Sequence, residues 1–234
     1  MQFANIKWIN NIPYSIDFND IYFSKEDGLK ETEYVFIKQN MLEQRFITLQ
    51  QDHFNIIETG FGTGLNFLAI SALWLELAPT NTQLNYISIE KQPLSLADLR
   101  RAQALWPQFS EISRDLSLSY DRLKVGINVF NIAGGRILLS LQVDDILKVL
   151  PELSEKADAW VLDGFAPAKN ADMWSYEVYE HIARLSKTNT TFATFTSAGM
   201  VRRGLQAAGF EVKKQPGFGK KREMLNGVFI EKFA

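Results

Sequence analysis

Cysteine is absent from all 234 residues of the sequence. Its absence excludes disulfide scaffolds, zinc ribbons, iron–sulfur clusters and every mechanism that needs a thiol nucleophile, and it fits a reducing cytosol. Histidine is scarce too, and we interpret the two that are present, His53 and His181, as structural or surface residues. No group of side chains has the spacing of metal ligands, so we expect no metal site.

An excess of charge of one sign is also lacking. The 25 Lys and Arg residues nearly balance the 27 Asp and Glu residues, and the net charge is −2. This balance excludes a globally basic nucleic-acid-binding protein but leaves room for a local basic patch. Hydrophobic residues make up 46% of the chain and charged residues 22%, which is enough to bury a real core.

Long apolar runs are missing as well. The N-terminal residues MQFANIKWIN lack the basic region and apolar stretch of a signal peptide. Asn66, Ser71 and Glu76 interrupt the longest apolar stretch, residues 65–78, and a membrane helix needs roughly 18 apolar residues. We therefore expect a soluble, cytoplasmic protein.

Residues 1–50 are expected to form an N-terminal extension. Residues 21–23 and 34–37 are β-branched and aromatic runs on either side of the turn-like residues 25–30, which predicts a hairpin. Residues 41–49 then place apolar side chains on one face of a short helix.

Residues 51–234 alternate between strand and helix patterns and are expected to form one domain. This alternation predicts a doubly wound α/β fold whose mostly parallel sheet ends in an antiparallel edge. The predicted strands are residues 54–58, 84–90, 159–163, 191–196, 210–214 and 227–232, with hairpin or strand material over 129–141. The predicted helices are residues 64–78, 93–105, 144–150, 172–185 and 199–208.

Three alternating glycines, Gly60, Gly62 and Gly64, follow the first of these strands. Glycines there permit positive φ and let a ligand lie against bare backbone. The G-x-G-x-G spacing differs from the G-x-G-x-x-G of dinucleotide enzymes, and no Lys-Ser/Thr follows as in a phosphate-binding loop. With Glu58 just before it, the loop suits a ligand with an amino group and no pyrophosphate, such as S-adenosylmethionine. A tight structural turn is the alternative interpretation.

Three further acidic residues support a nucleoside ligand. Glu90 ends the next predicted strand, at about the separation from the glycines expected of a ribose-binding acid. Asp144 and Asp145 can place a carboxylate near an adenine amino group. The alternatives are an ordinary acid at a strand end for Glu90 and a helix cap for the aspartates.

Asp163 ends another predicted strand, in the segment DAWVLDGFAPAKN over residues 158–170. Because ligands of open α/β sheets bind outside the carboxyl ends of the strands, Asp163 should face the reacting centre, with Phe165 and Pro167 as a wall. The segment lacks the Asn/Asp-Pro-Pro-Tyr/Phe pattern used on planar exocyclic amines, which favours an aliphatic amine as acceptor. A turn cap before Gly164 is the alternative.

A basic segment lies near the C-terminus. Residues 212–222 contain five cations and no acid, with Phe218 held in a loop, and Arg202 and Arg203 precede them. Clustered cations contact phosphates, and an aromatic ring between them can stack on a splayed base. We expect this segment to lie away from the cofactor; a solvated basic edge is the alternative.

Several stretches closely resemble the N-terminal methyltransferase domain of the MnmC proteins, to which the stand-alone MnmD proteins are related. They are residues 20–36 (DIYFSKEDGLKETEYVF), 58–68 (ETGFGTGLNFL), 90–99 (EKQPLSLADL), 162–174 (LDGFAPAKNADMW), 193–209 (ATFTSAGMVRRGLQAAG) and 217–224 (GFGKKREM). The resemblance spans nearly the whole chain. The DGFAPAKN and GFGKKREM segments are far more specific than the glycine loop, which many methyltransferases share.

The resemblance implies a class I, Rossmann-like fold with a mostly parallel seven-stranded sheet and S-adenosylmethionine as cofactor. It implies methylation of the amine of 5-aminomethyl-(2-thio)uridine at the tRNA wobble position. Its tRNA partner would be bound through the anticodon stem-loop. MnmC proteins continue into an FAD-dependent oxidase, but no second dinucleotide fingerprint occurs here. We therefore expect no FAD in this chain and an oxidase domain in the same or a separate chain.

These arguments assign residues to three roles. Asp163 is the candidate catalytic residue that holds the acceptor amine. It acts either as the base that takes the proton of the amine or only as the group that orients it. The cofactor-binding set is Glu58, Gly60, Gly62, Gly64, Leu65, Asn66, Glu90, Lys91, Asp145 and Asp163. The tRNA-binding set is Phe165, Lys169, Arg202, Phe218, Lys220, Lys221 and Arg222. Rival functions are methylation of a small-molecule or protein amine and a non-catalytic RNA-binding protein of the same fold.

Overall fold

An eight-stranded sheet lies at the centre of the computed structural model, which describes residues 1–24 and 27–230. The strands are β1 (Ile6–Ile9), β2 (Ile12–Ser15), β3 (Asp20–Ile21), β4 (His53–Thr59), β5 (Gln83–Ile89), β6 (Gly126–Ile132), β7 (Ile137–Val143), β8 (Ala157–Leu162), β9 (Ser186–Thr194), β10 (Phe210–Pro216) and β11 (Glu223–Phe229). The α-helices are α1 (Gly28–Thr32), α2 (Leu42–Ile47), α3 (Leu65–Leu77), α4 (Leu96–Gln103), α5 (Ser110–Ser117), α6 (Ile146–Glu152), α7 (Tyr176–Arg184) and α8 (Gly199–Ala207).

The order of the central sheet is β10-β11-β9-β8-β4-β5-β7-β6. The five strands from β9 to β7 are parallel, while β6, β10 and β11 pair antiparallel with their neighbours. The mostly parallel sheet with an antiparallel edge is therefore confirmed. It has eight strands rather than seven, because β6 pairs along its whole length with β7 and adds an antiparallel strand at the second edge.

Two apolar clusters cover the two faces of this sheet. One contains α3 and residues from the N-terminal helices, and the other contains residues of α6, α7 and α8. Strand β4 contributes to both, since Ile56 belongs to the first cluster and Ile57 to the second, and both are fully buried. This alternation is the expected behaviour of a parallel strand that is covered on both faces.

The predicted hairpin between residues 21–23 and 34–37 is wrong. The hairpin lies earlier, between β1 and β2, where Asn10 and Asn11 have φ values of 49° and 62° that suit a two-residue turn. Residues 34–37 are instead helical: α1 continues into a π-helical turn, Glu33–Ile37, whose apolar side chains pack on the core. Asp27 begins α1 by accepting a hydrogen bond from the Lys30 amide. Residues 25 and 26 of the predicted turn lie outside the described residues.

The short helix predicted over residues 41–49 is confirmed as α2, with Leu42 and Phe46 fully buried. Both side chains lie in the same apolar cluster as α3, so the N-terminal segment shares its core with the rest of the chain. The division of the chain into residues 1–50 and 51–234 stays a proposal.

The remaining strand and helix predictions are close to the structure, with a few differences. Strand β9 begins at Ser186, five residues before the predicted start at residue 191, and α7 begins at Tyr176, four residues after the predicted start at residue 172. Strand β11 begins at Glu223, four residues before the predicted start at residue 227, and the end of that prediction lies outside the described residues. Helix α5 was not predicted. Within residues 1–24 and 27–230, no helix has the length and apolar character needed to cross a membrane.

Candidate functional site

A cavity of about 340 Å³ opens at the carboxyl ends of β4, β5 and β8. Backbone and side-chain hydrogen bonds tie these strand ends together. The Gly60 amide donates to the Ile89 carbonyl over 2.8 Å, and the Thr59 hydroxyl donates to the Asp163 carbonyl over 2.8 Å. The loops that follow the three strands therefore form one continuous wall of the cavity.

The glycine loop presents bare backbone to this cavity. Gly60 has a φ of +80°, and a Cβ there would lie 3.1 Å from the Gly164 Cα. Gly62 has a φ of +52°, and a Cβ there would lie 3.2 Å from the Tyr22 ring. Gly64 instead precedes α3 and does not line the cavity. Two of the three predicted glycines thus line the cavity, and the third lies at the start of α3.

Glu90 lies beside this loop and lines the cavity. Its two carboxylate oxygens accept hydrogen bonds of 2.9 Å from the amides of Gly62 and Gln92. Burial raises the pKa of Glu90 despite these bonds. Each oxygen keeps a second lone pair, so the carboxylate can accept two further hydroxyl donors, as a ribose diol would provide.

Asp163 lines the same cavity from the end of β8. Its carboxylate accepts hydrogen bonds from the Gly164 amide over 2.8 Å and from the Asn66 side-chain amide over 2.7 Å. Burial raises the pKa of Asp163 to about 6; the nearby Glu31 raises it further and Lys221 opposes the shift. A carboxyl with a pKa in this range can take up and release a proton near neutral pH.

Glu58 is fully buried and lies behind the cavity wall rather than in it. It accepts hydrogen bonds from the Asn66 amide over 3.1 Å and from the Ser88 hydroxyl over 2.6 Å. Burial raises the pKa of Glu58 to about 8. The direct ligand contact predicted for Glu58 has no support in this geometry, because both oxygens face protein donors. Its neighbour Asn66 does line the cavity.

Lys91 and Asp145 form an ion pair of 2.7 Å at the rim of the cavity, which both residues line. Asp145 also caps α6 through a 3.0 Å hydrogen bond from the Leu147 amide. The helix-cap interpretation of Asp145 is thus confirmed, and Asp145 also lines the cavity. Leu65, another residue of the predicted cofactor-binding set, also lines the cavity.

The basic segment reaches the cavity, contrary to the expectation that it lies away from the cofactor. Lys221 lines the cavity, forms a 2.6 Å ion pair with Glu31 and lies 4.4 Å from the centre of the Phe195 ring. This ion pair joins the turn between β10 and β11 to α1. Lys220 and Arg222 flank it and are exposed.

The other predicted tRNA contacts fall into separate places. Phe165 lines the cavity and stacks on Phe18 at 4.5 Å, whereas Lys169 is 3.1 Å from the Asp20 carboxylate. Arg202 is half-buried on α8, and its Nε is buried without a hydrogen-bond partner. Phe218 lies outside the cavity, beside Tyr34.

The N-terminal segment supplies cavity residues that the sequence did not single out. Tyr22 and Glu31 line the cavity, and Thr32 donates a 2.7 Å hydrogen bond to Oδ1 of Asn66. These residues carry no local motif. The resemblance over residues 20–36 was the available sign that this segment matters, but it did not indicate which of these residues line the cavity.

The cavity wall is acidic. Seven acidic side chains line it, and lysines pair with four of them: Asp20, Glu31, Asp144 and Asp145. This charge favours cationic ligands, and S-adenosylmethionine, with its sulfonium and ammonium groups, fits both the charge and the bare glycine backbone. No group of three or more potential metal ligands occurs among the residues that the structure describes.

Comparisons with known proteins support S-adenosylmethionine as the cofactor. A sequence model described as S-adenosyl-L-methionine-dependent methyltransferase matches residues 107–229. The chain is 52% identical over 226 residues to the tRNA 5-methylaminomethyl-2-thiouridine biosynthesis bifunctional protein MnmC of Methylobacillus flagellatus, covering 97% of this chain and 35% of that protein. The protein of the same name from Pseudomonas syringae is 52% identical over 229 residues, covering 97% and 34%. The chain thus spans about a third of the length of these curated relatives.

One solved structure supports the fold over nearly the whole chain. The crystal structure of MNMC2 from Aquifex aeolicus superimposes with a TM-score of 0.74 at 20% identity, covering 98% of this chain and 71% of that one. At this identity the similarity concerns the arrangement of strands and helices.

Proposed function

The chain belongs to the S-adenosyl-L-methionine-dependent methyltransferase family, and we propose that it methylates the amine of 5-aminomethyl-(2-thio)uridine at the wobble position of tRNA. The product would be 5-methylaminomethyl-(2-thio)uridine. The observation that carries this proposal is the acidic cavity that Asp163 lines together with the glycine loop. The name of the relatives that are 52% identical supports the choice of substrate.

The residues that would hold the cofactor are those already described in the wall. Backbone of Gly60 and Gly62 would lie against its amino acid end, and Glu90 would accept the ribose hydroxyls. Asp145 would lie near the adenine. When bound, S-adenosylmethionine supplies a methyl group on a positively charged sulfur.

Asp163 would prepare the acceptor. An ammonium has no lone pair, so the acceptor must lose a proton before it can form a bond to carbon. The Asp163 carboxylate can accept an N–H hydrogen bond from the amine and take this proton. Asn66 holds the carboxylate in place through its 2.7 Å hydrogen bond. Rings of Tyr22 and Phe165 line the cavity and would exclude water from the reacting groups.

The proposal extends to partners and location. The relatives are named bifunctional and are about three times as long as this chain. We propose that an FAD-dependent oxidase domain, in the same or a separate chain, releases the amine that this domain methylates. Action on tRNA would place the protein in the cytoplasm.

The direct test is mass spectrometry of nucleosides from tRNA that carries the unmethylated amine. After incubation with the protein and isotopically labelled S-adenosylmethionine, one labelled methyl group should appear on the aminomethyl nitrogen. The Asp163→Asn variant should lose activity by orders of magnitude and keep most of its cofactor affinity, while Asp121→Asn, at an exposed site, should match the wild type. Label on a free amine or on protein, with none on tRNA, would contradict the proposal.

A further inference from the structure

An open groove lies next to the cavity, on the outer side of the N-terminal helices. Two partly exposed aromatic rings, Tyr34 and Phe218, line it together with Lys30 and Lys38. Tyr34 and Lys38 come from the helical stretch that follows Asp27, and Phe218 comes from the turn between β10 and β11.

The groove and the cavity share their dividing wall. In the helical stretch 28–37, Glu31 and Thr32 line the cavity while Tyr34 lines the groove. In the turn after β10, Lys221 lines the cavity while Phe218 lines the groove. A 3.0 Å hydrogen bond from the Lys221 amide to the Phe218 carbonyl closes this turn. The helical stretch 28–37 and the turn between β10 and β11 therefore separate the groove from the cavity.

The aromatic side of the groove is held in place by its own contacts. The Tyr34 and Phe218 ring centres are 6.1 Å apart with a 44° tilt, and the Tyr34 hydroxyl donates a 3.1 Å hydrogen bond to the Pro216 carbonyl. The Lys38 ammonium lies 5.5 Å from the Tyr34 ring centre. Since one face of Tyr34 is next to this cation, the Phe218 ring is the better stacking surface.

We propose that this groove binds the unstacked base of the nucleotide next to the one whose amine enters the cavity. The inference rests on the proposed function, because it needs a polynucleotide substrate. Continuity with the cavity favours this occupant: residues of the same two segments line both sites, so a polynucleotide with one nucleotide in the cavity would reach the groove by crossing a single shared wall. Glu33 and Glu43 also line the groove, so stacking on the rings rather than charge would carry the recognition.

Steady-state methylation of an anticodon stem-loop tests this assignment. Phe218→Ala and Tyr34→Ala should each raise KM for the stem-loop about tenfold, as expected for the loss of one stacked base. They should leave kcat and the affinity for S-adenosylmethionine unchanged, and Phe218→Trp should restore KM because it keeps a ring. Tyr176→Ala, at an exposed aromatic residue on α7, serves as the matched control.

A binding measurement separates the two proposals. Fluorescence anisotropy of a labelled, unmodified stem-loop reports binding without methylation, and Phe218→Ala should weaken it by a similar factor. If the wild type binds and methylates RNA, and Phe218→Ala and Tyr34→Ala have the same KM and affinity for the stem-loop as the wild type, the groove assignment is overturned. If the wild type neither binds nor methylates RNA, the proposed function fails first. A concentration-dependent dimer that Phe218→Ala disrupts would assign the groove to a second copy of this chain and overturn the proposal.

Discussion

The Thr32 hydroxyl donates a 2.7 Å hydrogen bond to Oδ1 of Asn66, and this contact decides which end of the Asn66 amide faces Asp163. With its oxygen engaged, the amide turns its NH₂ group toward Asp163 and Glu58, at 2.7 and 3.1 Å. A helix near the N-terminus thus orients the group that holds the proposed catalytic carboxylate.

Thr32→Val should impair this arrangement. The change leaves a buried acceptor unpaired, at a cost of about 1–3 kcal/mol, and frees the amide to rotate. We expect turnover to fall about tenfold or more. We also expect the acidic limb of the pH–rate profile, set by the Asp163 pKa of about 6, to move to higher pH, because the hydrogen bond from Asn66 lowers this pKa.

Thr32→Ser keeps the hydroxyl and should restore both the rate and the limb. Thr48→Val, where the hydroxyl bonds a carbonyl at the exposed end of α2, should change neither. A Thr32→Val enzyme with a lower rate and an unmoved acidic limb would make the role of Thr32 purely structural.

Glu90→Ala should weaken S-adenosylmethionine binding by a few kcal/mol. Two ribose hydroxyls would lose hydrogen bonds to a charged acceptor, each worth about 1.5–3 kcal/mol. Isothermal titration calorimetry measures the change, with Glu76→Ala, at an exposed site on α3, as the control. Equal affinities in the two variants would move the ribose site away from Glu90.

Glu58→Gln should change how stability depends on pH. Burial raises the pKa of Glu58 from 4.5 to about 8, so between these values the folded state holds a proton that the unfolded state has released. The free energy of unfolding of the wild type should therefore fall as pH rises through this window, by up to about 1.4 kcal/mol per pH unit.

Glutamine resembles the protonated acid and does not titrate. The variant should match the wild type near pH 5 and exceed its stability near pH 8 in urea unfolding. Glu76→Gln, an exposed control, should keep the wild-type decline. Parallel stability curves for Glu58→Gln and wild type would show that Glu58 stays ionised in the folded protein.

The double variant Lys220→Ala/Arg222→Ala should weaken tRNA binding and leave cofactor affinity intact. Lys221 is kept because it lines the cavity. The slope of log affinity against log salt should flatten by about 0.7–0.9 for each phosphate that the variant no longer neutralises. Arg122→Ala/Lys124→Ala removes two exposed cations beside β6 and is the matched control. An unchanged slope in the first variant would place the RNA on another surface.

Local patterns in the sequence were sufficient to predict the sheet and the loops at the carboxyl ends of its parallel strands. Alternating strand and helix patterns predict a parallel sheet, and parallel strands necessarily bring their carboxyl ends together. These patterns alone therefore assign Gly60, Glu90 and Asp163 to one ligand site, and all three residues line the cavity.

Only the tertiary structure shows which other residues line and support the cavity, because their contacts join residues that are far apart in the sequence. Thr32 and Asn66 are 34 residues apart, Asn66 and Asp163 are 97 apart, and Lys221 pairs with Glu31 across 190 residues. No local pattern records such pairs. Glu58 was predicted to contact the ligand, but in the packed core its oxygens accept hydrogen bonds from Asn66 and Ser88. The sequence does not show which donors lie next to a buried carboxylate.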